Sequence, residues 1–227
     1  MIRTSESGHQ SPRMPMKKRI RTPARRRSKQ GKRLASRRLR ANEGAKVTIR
    51  RLRGELTRAL RQIEELQAYA DTDVLLGIRN RRGFERELSR TLAFIKRYRA
   101  TAALIVLDVD RLKPINDAFG HAAGDQVLKA ITAVLTSQVR ASDVVGRLGG
   151  DEFALVLWNL SETDARAKAV ALEAAIDGLA FQFQDTTVTA GASAGVAMLG
   201  ANTEADRALE VADGAMYVRK AQRRHES

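Results

Sequence analysis

The stretch VVGRLGGDEFALVLW at residues 144–158 constrains the fold more than any other part of the sequence. Two apolar runs flank the pair Gly149-Gly150. Because glycine reaches positive φ at little cost, this pattern predicts a β-hairpin. The carboxylates of Asp151 and Glu152 follow the glycines, and successive strand residues face opposite sides. The stretch is therefore either a plain turn or a place where bare backbone approaches a phosphate beside a metal-binding acid.

The composition excludes several kinds of site. The chain has 227 residues and no Cys, which excludes disulfides, thiolate metal sites and Cys nucleophiles. The three His residues, His9, His121 and His225, are scattered, which argues against a His-based zinc site. No apolar stretch approaches the roughly 20 residues that span a membrane, and no signal-peptide core follows the basic start. We therefore expect a cytoplasmic protein.

The net charge of +15 belongs to one end of the chain. Residues 1–53 hold 19 of the 41 Lys and Arg residues but only 2 of the 26 Asp and Glu residues. Residues 1–44 also contain Pro, Gly and few apolar side chains, so we expect a disordered basic tail, with residues 34–40 becoming helical on an anionic partner. One interpretation is a solvated extension without a dedicated partner. The alternatives are docking to an anionic membrane surface, which would place the protein at the inner membrane face, and binding to nucleic acid.

Residues 45–70 carry a different pattern. Their apolar residues alternate at spacings of three and four over about three heptads: Ile49, Leu52, Leu56, Ala59, Ile63, Leu66 and Ala70. This pattern predicts either an amphipathic helix lying on its own domain or a coiled coil. The strict period and the scarcity of other apolar residues favour the coiled coil. Ile at two a positions and Leu at two d positions favour a parallel dimer, so we expect a dimerisation helix.

Residues 71–225 are predicted to form a folded α/β domain of the α+β type. Helices are expected at 81–99, 123–139, from Ser161 onward and at 203–222, with strands at 101–109 and 188–198 on either side of the hairpin. This order favours one mostly antiparallel sheet with helices on its faces, as in ferredoxin-like folds and palm domains that transfer nucleotides. Fold analogy alone does not decide function.

Two carboxylates that are distant in sequence, Asp108 and Asp151, are candidates for one site. Asp108 ends the predicted strand 101–109, and the hairpin can pair beside that strand. Two carboxylates with a backbone carbonyl suit Mg²⁺, and two-metal phosphoryl chemistry needs such a pair. Asn116 and Asp125 offer groups that can hydrogen-bond the edge of guanine. The candidate phosphate-binding cations are Lys113, Lys220 and Arg224.

Residues 71–224 resemble the GGDEF-domain diguanylate cyclases. The matching blocks, which agree in order and spacing, are DTDVLLGIRNRRGF (71–84), DVDRLKPINDAFGHAAGD (108–125), ASDVVGRLGGDEFAL (141–155) and ADGAMYVRKAQRR (212–224). The resemblance implies a nucleotidyl-cyclase fold and condensation of two GTP into cyclic di-3′,5′-GMP with release of pyrophosphate. It also implies Mg²⁺ or Mn²⁺ as cofactor and a homodimer in which each subunit presents one GTP to the other.

The resemblance assigns a catalytic role to each matching acid. Asp108, Asp151 and the Val109 carbonyl would bind the metal. Asp151 would also act as the base for the ribose 3′-OH, and Glu152 would support the metal site. The substrate-binding positions would be Asn116 and Asp125 for guanine, Lys113, Lys220 and Arg224 for phosphates, and Gly149 and Gly150 over the α-phosphate.

Arg140-x-x-Asp143, five residues before the glycine pair, resembles the inhibitory product site of the family. An Arg–Asp pair of this kind can also be a plain surface salt bridge, but its position relative to the glycines favours the product site. Four positions depart from the usual family pattern, namely Leu76, Arg111, Leu112 and Arg223, and Pro114 and His225 are two further unusual residues. None of them removes a metal-binding, basic or guanine-reading group, so they concern efficiency and regulation more than chemistry.

Two other interpretations were weighed. A non-catalytic receptor for GTP or cyclic di-GMP is disfavoured because the acids Asp108, Asp151 and Glu152 are intact. A basic arm before a zipper also resembles a basic-zipper nucleic-acid binder, which requires a continuous basic helix. Three prolines, together with Gly31 and Gly44, are expected to break such a helix, and this interpretation is therefore disfavoured.

Overall fold

The computed structural model describes residues 24–226, and contacts divide the chain into two units, Met1–Arg61 and Gln62–Ser227. One long helix, α1, runs from Ala24 to Ala70. The helix begins 21 residues before the expected start at residue 45, so residues 24–44 are helical rather than disordered. This segment is rich in Arg, Lys, Ala and Leu, which are good helix formers, and a single interior Gly costs only about 1 kcal/mol. Residues 1–23 of the expected tail lie outside the described residues.

The second unit contains a four-stranded sheet with helices on both faces. The elements are α2 (Arg81–Tyr98), β1 (Ala102–Asp110), α3 (Leu112–Phe119), α4 (His121–Ser137), β2 (Val144–Arg147), β3 (Glu152–Trp158), α5 (Glu162–Asp177), β4 (Ala180–Phe183), β5 (Thr186–Thr189), β6 (Gly191–Leu199) and α6 (Ala205–Glu226). The strand order is β2-β3-β1-β6, and every neighbouring pair is antiparallel. The predicted α+β fold is confirmed.

Alternating residues of β1 pack into two cores. Ile105, Leu107 and Val109 pack with residues of α4 and α5, including Ile131 and Leu172. Leu104 and Val106 pack on the other face with residues of α2 and α6. A Cβ atom on Gly195 of β6 would lie 2.0 Å from the Ala212 carbonyl oxygen, so glycine is needed for α6 to pack this closely. This contact fixes α6 against the sheet.

Two of the predicted helices begin at side-chain N-caps. Asn80 accepts a hydrogen bond from the Gly83 N–H at 2.9 Å, and Ser161 accepts one from the Asp164 N–H at 3.1 Å. The hairpin of β2 and β3 forms as expected, but Gly149 and Gly150 do not adopt positive φ. Among the glycines of residues 24–226, that conformation occurs at Gly77 and Gly120.

The segment predicted to form a single strand, residues 188–198, differs from the expectation. The segment splits at Ala190, so Thr186–Thr189 belongs to a separate two-stranded sheet with Ala180–Phe183, while Gly191–Leu199 joins the main sheet.

No helix within residues 24–226 has the length and apolar character needed to cross a lipid bilayer. The cytoplasmic location stays a prediction.

Candidate active site

The end of β1 and the β2–β3 hairpin bring the two predicted metal-binding acids together. In the β1–β3 register, Asp108 lies opposite Glu152. One step further along, the Val109 N–H donates a hydrogen bond to the Asp151 carbonyl oxygen at 2.9 Å. The expectation that the hairpin pairs beside the first strand is therefore confirmed, and Asp151 lies next to the carboxyl end of β1.

The carboxylate of Asp108 lies in a region of concentrated negative charge. Only 9% of Asp108 is exposed, and burial raises the pKa of its carboxyl group above the ordinary value. A hydrogen bond and the positive charge of Lys220 oppose this rise, while the charges of Asp151 and Asp110 add to it. Lys220 contacts Asp108 and Arg223 lies 3.3 Å from Asp110, whereas Asp151 forms no ion pair within the described residues. A further cation beside Asp151 and Asp108 would therefore stabilise the site.

The predicted phosphate-binding cations surround one opening, the main cleft, which has a volume of about 560 Å³. Lys113, Lys220 and Arg224 line it together with Asp151 and Asp110. Within the described residues, neither Lys113 nor Arg224 forms an ion pair. Their charges are therefore available to an anion in the cleft, whereas Lys220 contacts Asp108.

The predicted guanine-reading residues line a smaller opening, the side pocket, of about 270 Å³. Asn116 and Asp125 lie there with Gly150, and Lys113 and Asp151 line both this pocket and the main cleft. A Cβ atom on Gly124 would lie 2.0 Å from Asn116 Oδ1, so this glycine makes room for the amide. Asn116 Oδ1 is buried against this glycine and accepts no hydrogen bond within residues 24–226.

Glu152 and Gly149 lie beside these openings rather than in them. The Glu152 carboxylate lies 3.5 Å from the Arg81 guanidinium and faces a separate groove between α2 and α6. A Cβ atom on Gly149 would lie 3.2 Å from the Glu152 carboxylate, whereas one on Gly150 would meet nothing within 4 Å. The Glu152 carboxylate therefore lies close to the Gly149 backbone, whereas the backbone at Gly150 is unobstructed. The supporting role of Glu152 stays a prediction.

The structure adds Arg147, which the sequence analysis missed. Its Nη2 donates to the Gly150 carbonyl at 2.7 Å and its Nε to the Gly149 carbonyl at 3.0 Å. Its Nη1 lies 3.1 Å from the Asp73 carboxylate. Arg147 thereby ties the glycine turn to the segment after α1. An arginine two residues before the glycine pair was the only available signal, and it does not specify a partner 74 residues away.

Arg140 and Asp143 line a third opening, the edge cavity, of about 520 Å³. Asp143 accepts hydrogen bonds from the backbone N–H groups of Arg140 at 2.8 Å and Trp158 at 3.1 Å. Within the described residues, the Arg140 guanidinium makes no ion pair with Asp143, and the assignment of the pair to a product site stays a prediction. The aspartate is fixed by backbone contacts, and the exposed guanidinium remains available to an anion.

The four departures from the family pattern have different environments. Leu76 is half-buried, and its N–H donates to the Asp73 carboxylate at 2.9 Å. Arg111 adopts left-handed φ of 66° before α3, and Leu112 is buried. Arg223 contacts Asp177 at 2.7 and 3.0 Å and Asp110 at 3.3 Å across the main cleft. Arg223 therefore adds an ion-pair cluster to the cleft.

The donor set fits a hard divalent cation. Within residues 24–226 no group of three or more His, Cys, Asp or Glu side chains is arranged to hold a metal ion. The carboxylates of Asp108 and Asp151 with a backbone carbonyl are the hard oxygen donors that Mg²⁺ and Mn²⁺ accept, provided that a nucleotide supplies further ligands. The raised pKa of Asp108 beside Asp151 and Asp110 agrees with a site that favours added positive charge.

Comparison with known proteins supports the family resemblance over residues 70–226. The family model described as "Diguanylate cyclase, GGDEF domain" matches residues 70–226. The chain is 40% identical over 157 residues to diguanylate cyclase TpbB of Pseudomonas aeruginosa, with 68% of this chain and 36% of the relative covered. It is 36% identical over 155 residues to diguanylate cyclase DgcP of the same species, covering 68% of this chain and 23% of the relative. The chain thus spans well under half the length of these relatives.

A solved structure has a similar fold. The coiled coil and GGDEF domain of DgcB from Caulobacter crescentus, solved in complex with c-di-GMP, superimposes with a TM-score of 0.68 at 26% identity. The match covers 74% of this chain and 90% of that one. Because the family model matches well over half of the residues, and because the predicted sheet and hairpin are present, the chain belongs to the GGDEF-domain diguanylate cyclase family.

Proposed function

We propose that the chain is a diguanylate cyclase, which condenses two GTP into one cyclic di-3′,5′-GMP and two pyrophosphates. The observation that carries this proposal is that the main cleft and the side pocket adjoin at Lys113 and Asp151. The side pocket offers Asn116 and Asp125 to the edge of guanine, and the main cleft offers cations to a triphosphate. One GTP would lie across both, with its ribose beside Asp151.

The chemistry assigned to the chain is a phosphoryl transfer. Asp151 accepts the proton of the ribose 3′-OH, and the 3′ oxygen bonds to the α-phosphorus of the second GTP as the bond to pyrophosphate breaks. Lys113, Lys220 and Arg224 neutralise the departing pyrophosphate. Mg²⁺ or Mn²⁺, held by Asp108, Asp151 and the Val109 carbonyl, would lower the charge on the phosphates and activate the attacking hydroxyl.

The reaction calls for two copies of the chain, because one copy offers one site of this kind and the product contains two nucleotides. The α1 seam supports a dimer: Leu52, Leu56 and Leu66 are 52%, 60% and 64% exposed. These apolar side chains would be buried by a second copy in parallel register. We propose that residues 45–70 are the dimerisation helix and residues 71–225 the catalytic domain.

The edge cavity is proposed as the product site for feedback inhibition. It is lined by Arg140 and Asp143 and is separate from the two openings that would hold GTP. An exposed guanidinium can bind the phosphate of cyclic di-GMP in a bidentate manner. Product bound there would hold two catalytic domains apart or misaligned and thereby slow the reaction.

The basic residues at the start of the chain favour the binding of a polyanion. Fifteen Lys and Arg residues against one acidic residue in positions 1–40 create a strong local field. Candidate partners are an anionic membrane surface and nucleic acid. Residues 1–23 of this segment lie outside the described residues.

The decisive experiment is to incubate purified protein with GTP and MgCl₂ and to identify the product by chromatography and mass spectrometry. We expect cyclic di-GMP and pyrophosphate in a ratio of one to two. Asp125→Ala should lower kcat/KM for GTP by about 10- to 100-fold, because a hydrogen bond to a charged group contributes roughly 1.5–3 kcal/mol. Binding of cyclic di-GMP without any turnover of GTP would instead favour a receptor.

A further inference from the structure

The first part of α1 carries charge that the proposed cyclase reaction does not use. Between Gln30 and Arg53 the helix contains nine Lys and Arg residues and one acidic residue, Glu43. The described side chains of this stretch are exposed. Arg51 lies 3.6 Å from Glu55, and the other eight cations form no ion pair within the described residues. The stretch is therefore a cationic surface whose charges, Arg51 apart, are unpaired among the described residues.

The cations lie mostly off the apolar seam. If the heptad of Ile49–Ala70 is continued toward the start of the chain, its a and d positions fall on small or polar residues: Ala45, Asn42, Arg38, Ala35 and Gly31. Arg33, Arg37 and Arg40 fall at outer positions. Apolar pairing therefore ends at Ile49, and the like charges of Arg38 would separate two copies beyond that point.

We propose that residues 24–53 of α1 bind the phosphate backbone of duplex nucleic acid, a proposal that rests on the coiled-coil dimer of the proposed function. The helix continues without a break through Gly31 and Gly44, and all three N-terminal prolines precede Ala24. The sequence argument against a continuous basic helix is therefore removed. A zipper that leads into two separated basic helices can place one helix on each side of a duplex.

The residue types favour phosphate contacts without sequence preference. Most of the cations are arginines, whose planar guanidinium bonds two phosphate oxygens at once. An α-helix fits the major groove, but the aromatic residues that stack on bases are absent before Tyr69. Binding would therefore depend on counterion release and fall steeply with salt.

An anionic membrane is the less suitable partner for this helix. A helix that lies in a bilayer interface buries one continuous face of bulky apolar residues. Before Ile49, the large apolar residues of α1 are Leu34, Leu39 and Val47. With 3.6 residues per turn, Leu39 and Val47 lie about 80° apart around the helix and Leu34 lies about 140° from each of them, so they do not form one continuous face. No membrane-inserting face forms.

The first test measures binding of the full-length chain to a labelled 30-base-pair DNA duplex of arbitrary sequence by fluorescence anisotropy. We expect affinity to fall about 10³-fold or more between 50 and 200 mM salt, and to change less than about threefold with a second sequence. The triple variant Arg33→Gln, Arg37→Gln, Arg40→Gln should bind at least tenfold more weakly. The control triple variant Arg90→Gln, Arg166→Gln, Arg207→Gln removes the same charge from exposed arginines of the second unit and should bind normally.

The second test separates helix continuity from charge. A Cβ atom on Gly44 would meet nothing within 4 Å, so Gly44→Ala is accommodated and should bind at least as tightly. Gly44→Pro keeps the charge but breaks the helix between the seam and the cations, and should bind at least tenfold more weakly. Equal affinity of the two variants would overturn docking as a continuous helix.

Three further results would overturn the proposal. The first is no binding to the duplex at 50 mM salt, and the second is an equal loss of duplex affinity in both triple variants. The third is tighter binding to phosphatidylglycerol vesicles than to the duplex, which would assign the helix to a membrane. Turnover of GTP is measured on the same protein without DNA. Normal turnover with no duplex binding would contradict this inference alone, whereas duplex binding without turnover would contradict the cyclase alone.

Discussion

The ammonium group of Lys220, in the last turns of α6, hydrogen-bonds the carboxylate of Asp108 at the end of β1. The two residues are 112 positions apart, and only 22% of the lysine side chain is exposed. A cation assigned to phosphate thus neutralises an acid assigned to metal binding. The contact couples the position of α6 to the charge of the site.

We predict that Lys220→Met destabilises the folded protein by about 1–3 kcal/mol in EDTA, because a largely buried carboxylate loses its cation. A folded-state pKa of Asp108 above the unfolded value favours the protonated form in the folded protein. The contribution of Asp108 to the free energy of unfolding is therefore retained at low pH and lost as the pH rises through its folded-state pKa. The defect of the variant should accordingly grow from pH 4 toward pH 7. Urea unfolding at several pH values measures it.

The double variant Lys220→Met, Asp108→Asn is the control for that prediction. It removes the unpaired charge together with its partner, so stability should return toward that of the wild type and lose its extra pH dependence. A double variant as unstable at pH 7 as Lys220→Met would mean that the lysine acts through packing of its hydrocarbon chain and not through charge.

Asp151→Asn should lower the rate of cyclic di-GMP formation by about 10²–10⁴-fold, as expected for loss of a general base. The amide keeps the shape of the side chain but removes its charge. The matched control is Asp117→Asn on α3, where the carboxylate is exposed and lies outside both openings. Near-normal turnover of Asp151→Asn at saturating Mg²⁺ would show that another group accepts the proton.

Arg140→Ala should remove feedback while leaving the initial rate unchanged, because the edge cavity is separate from the proposed GTP site. The measurement is the initial rate at increasing concentrations of added cyclic di-GMP. Arg166→Ala, which removes an exposed arginine of α5 that does not line the edge cavity, is the control and should remain inhibited. If both variants are inhibited as strongly as the wild type, product acts elsewhere.

Leu56→Glu should dissociate the dimer, because two like charges would be buried in the seam. Sedimentation and turnover should fall together at low micromolar protein and recover at high concentration. Val47→Glu is a matched control on the same helix, since Val47 is 68% exposed and lies off the seam. A dimer population unchanged by Leu56→Glu, or an equal loss in Val47→Glu, would argue against pairing through this seam.

Much of the fold could be predicted because its signals are local. The apolar run of β1, the glycine turn of the hairpin and the caps at Asn80 and Ser161 each specify an element within a few residues. The site acids were also found, since Asp108 lies near the end of the apolar run of β1 and Asp151 directly follows the glycine turn. Sheet pairing then brings them together without further information.

The remaining features depend on contacts that sequence periodicity does not encode. Arg147 contacts Asp73, and Lys220 contacts Asp108, because their long side chains reach residues that are distant in sequence. The continuity of α1 was misjudged because Gly31 and Gly44 were treated as helix breakers, although the good helix formers around them outweigh their cost. The short β4–β5 hairpin was missed because Thr186–Thr189 merges in sequence with the small-residue strand that follows.

Arg223 joins three parts of the domain at the main cleft. Its guanidinium binds both carboxylate oxygens of Asp177 at the end of α5 and also lies 3.3 Å from Asp110 of β1. Arg223 lies three residues after Lys220 and directly before Arg224, so it anchors the helical turns that carry both proposed phosphate contacts. A Cβ atom on Gly191 would lie 3.0 Å from Arg223 Nη2, which shows how closely the guanidinium is enclosed.

We predict that Arg223→Ala raises KM for GTP about tenfold or more, equivalent to about 1.4 kcal/mol, with a smaller change in kcat. Arg223→Lys keeps the charge but cannot bridge Asp177 and Asp110 together, so its KM should lie nearer that of the alanine variant. Asp177→Asn should give part of the same effect and add little to Arg223→Ala in the double variant. Arg207→Ala, which removes an exposed ion pair from the same helix, is the control. Full rescue by lysine would show that only the charge of Arg223 matters, and an unchanged KM in Arg223→Ala would rule out its role in positioning α6.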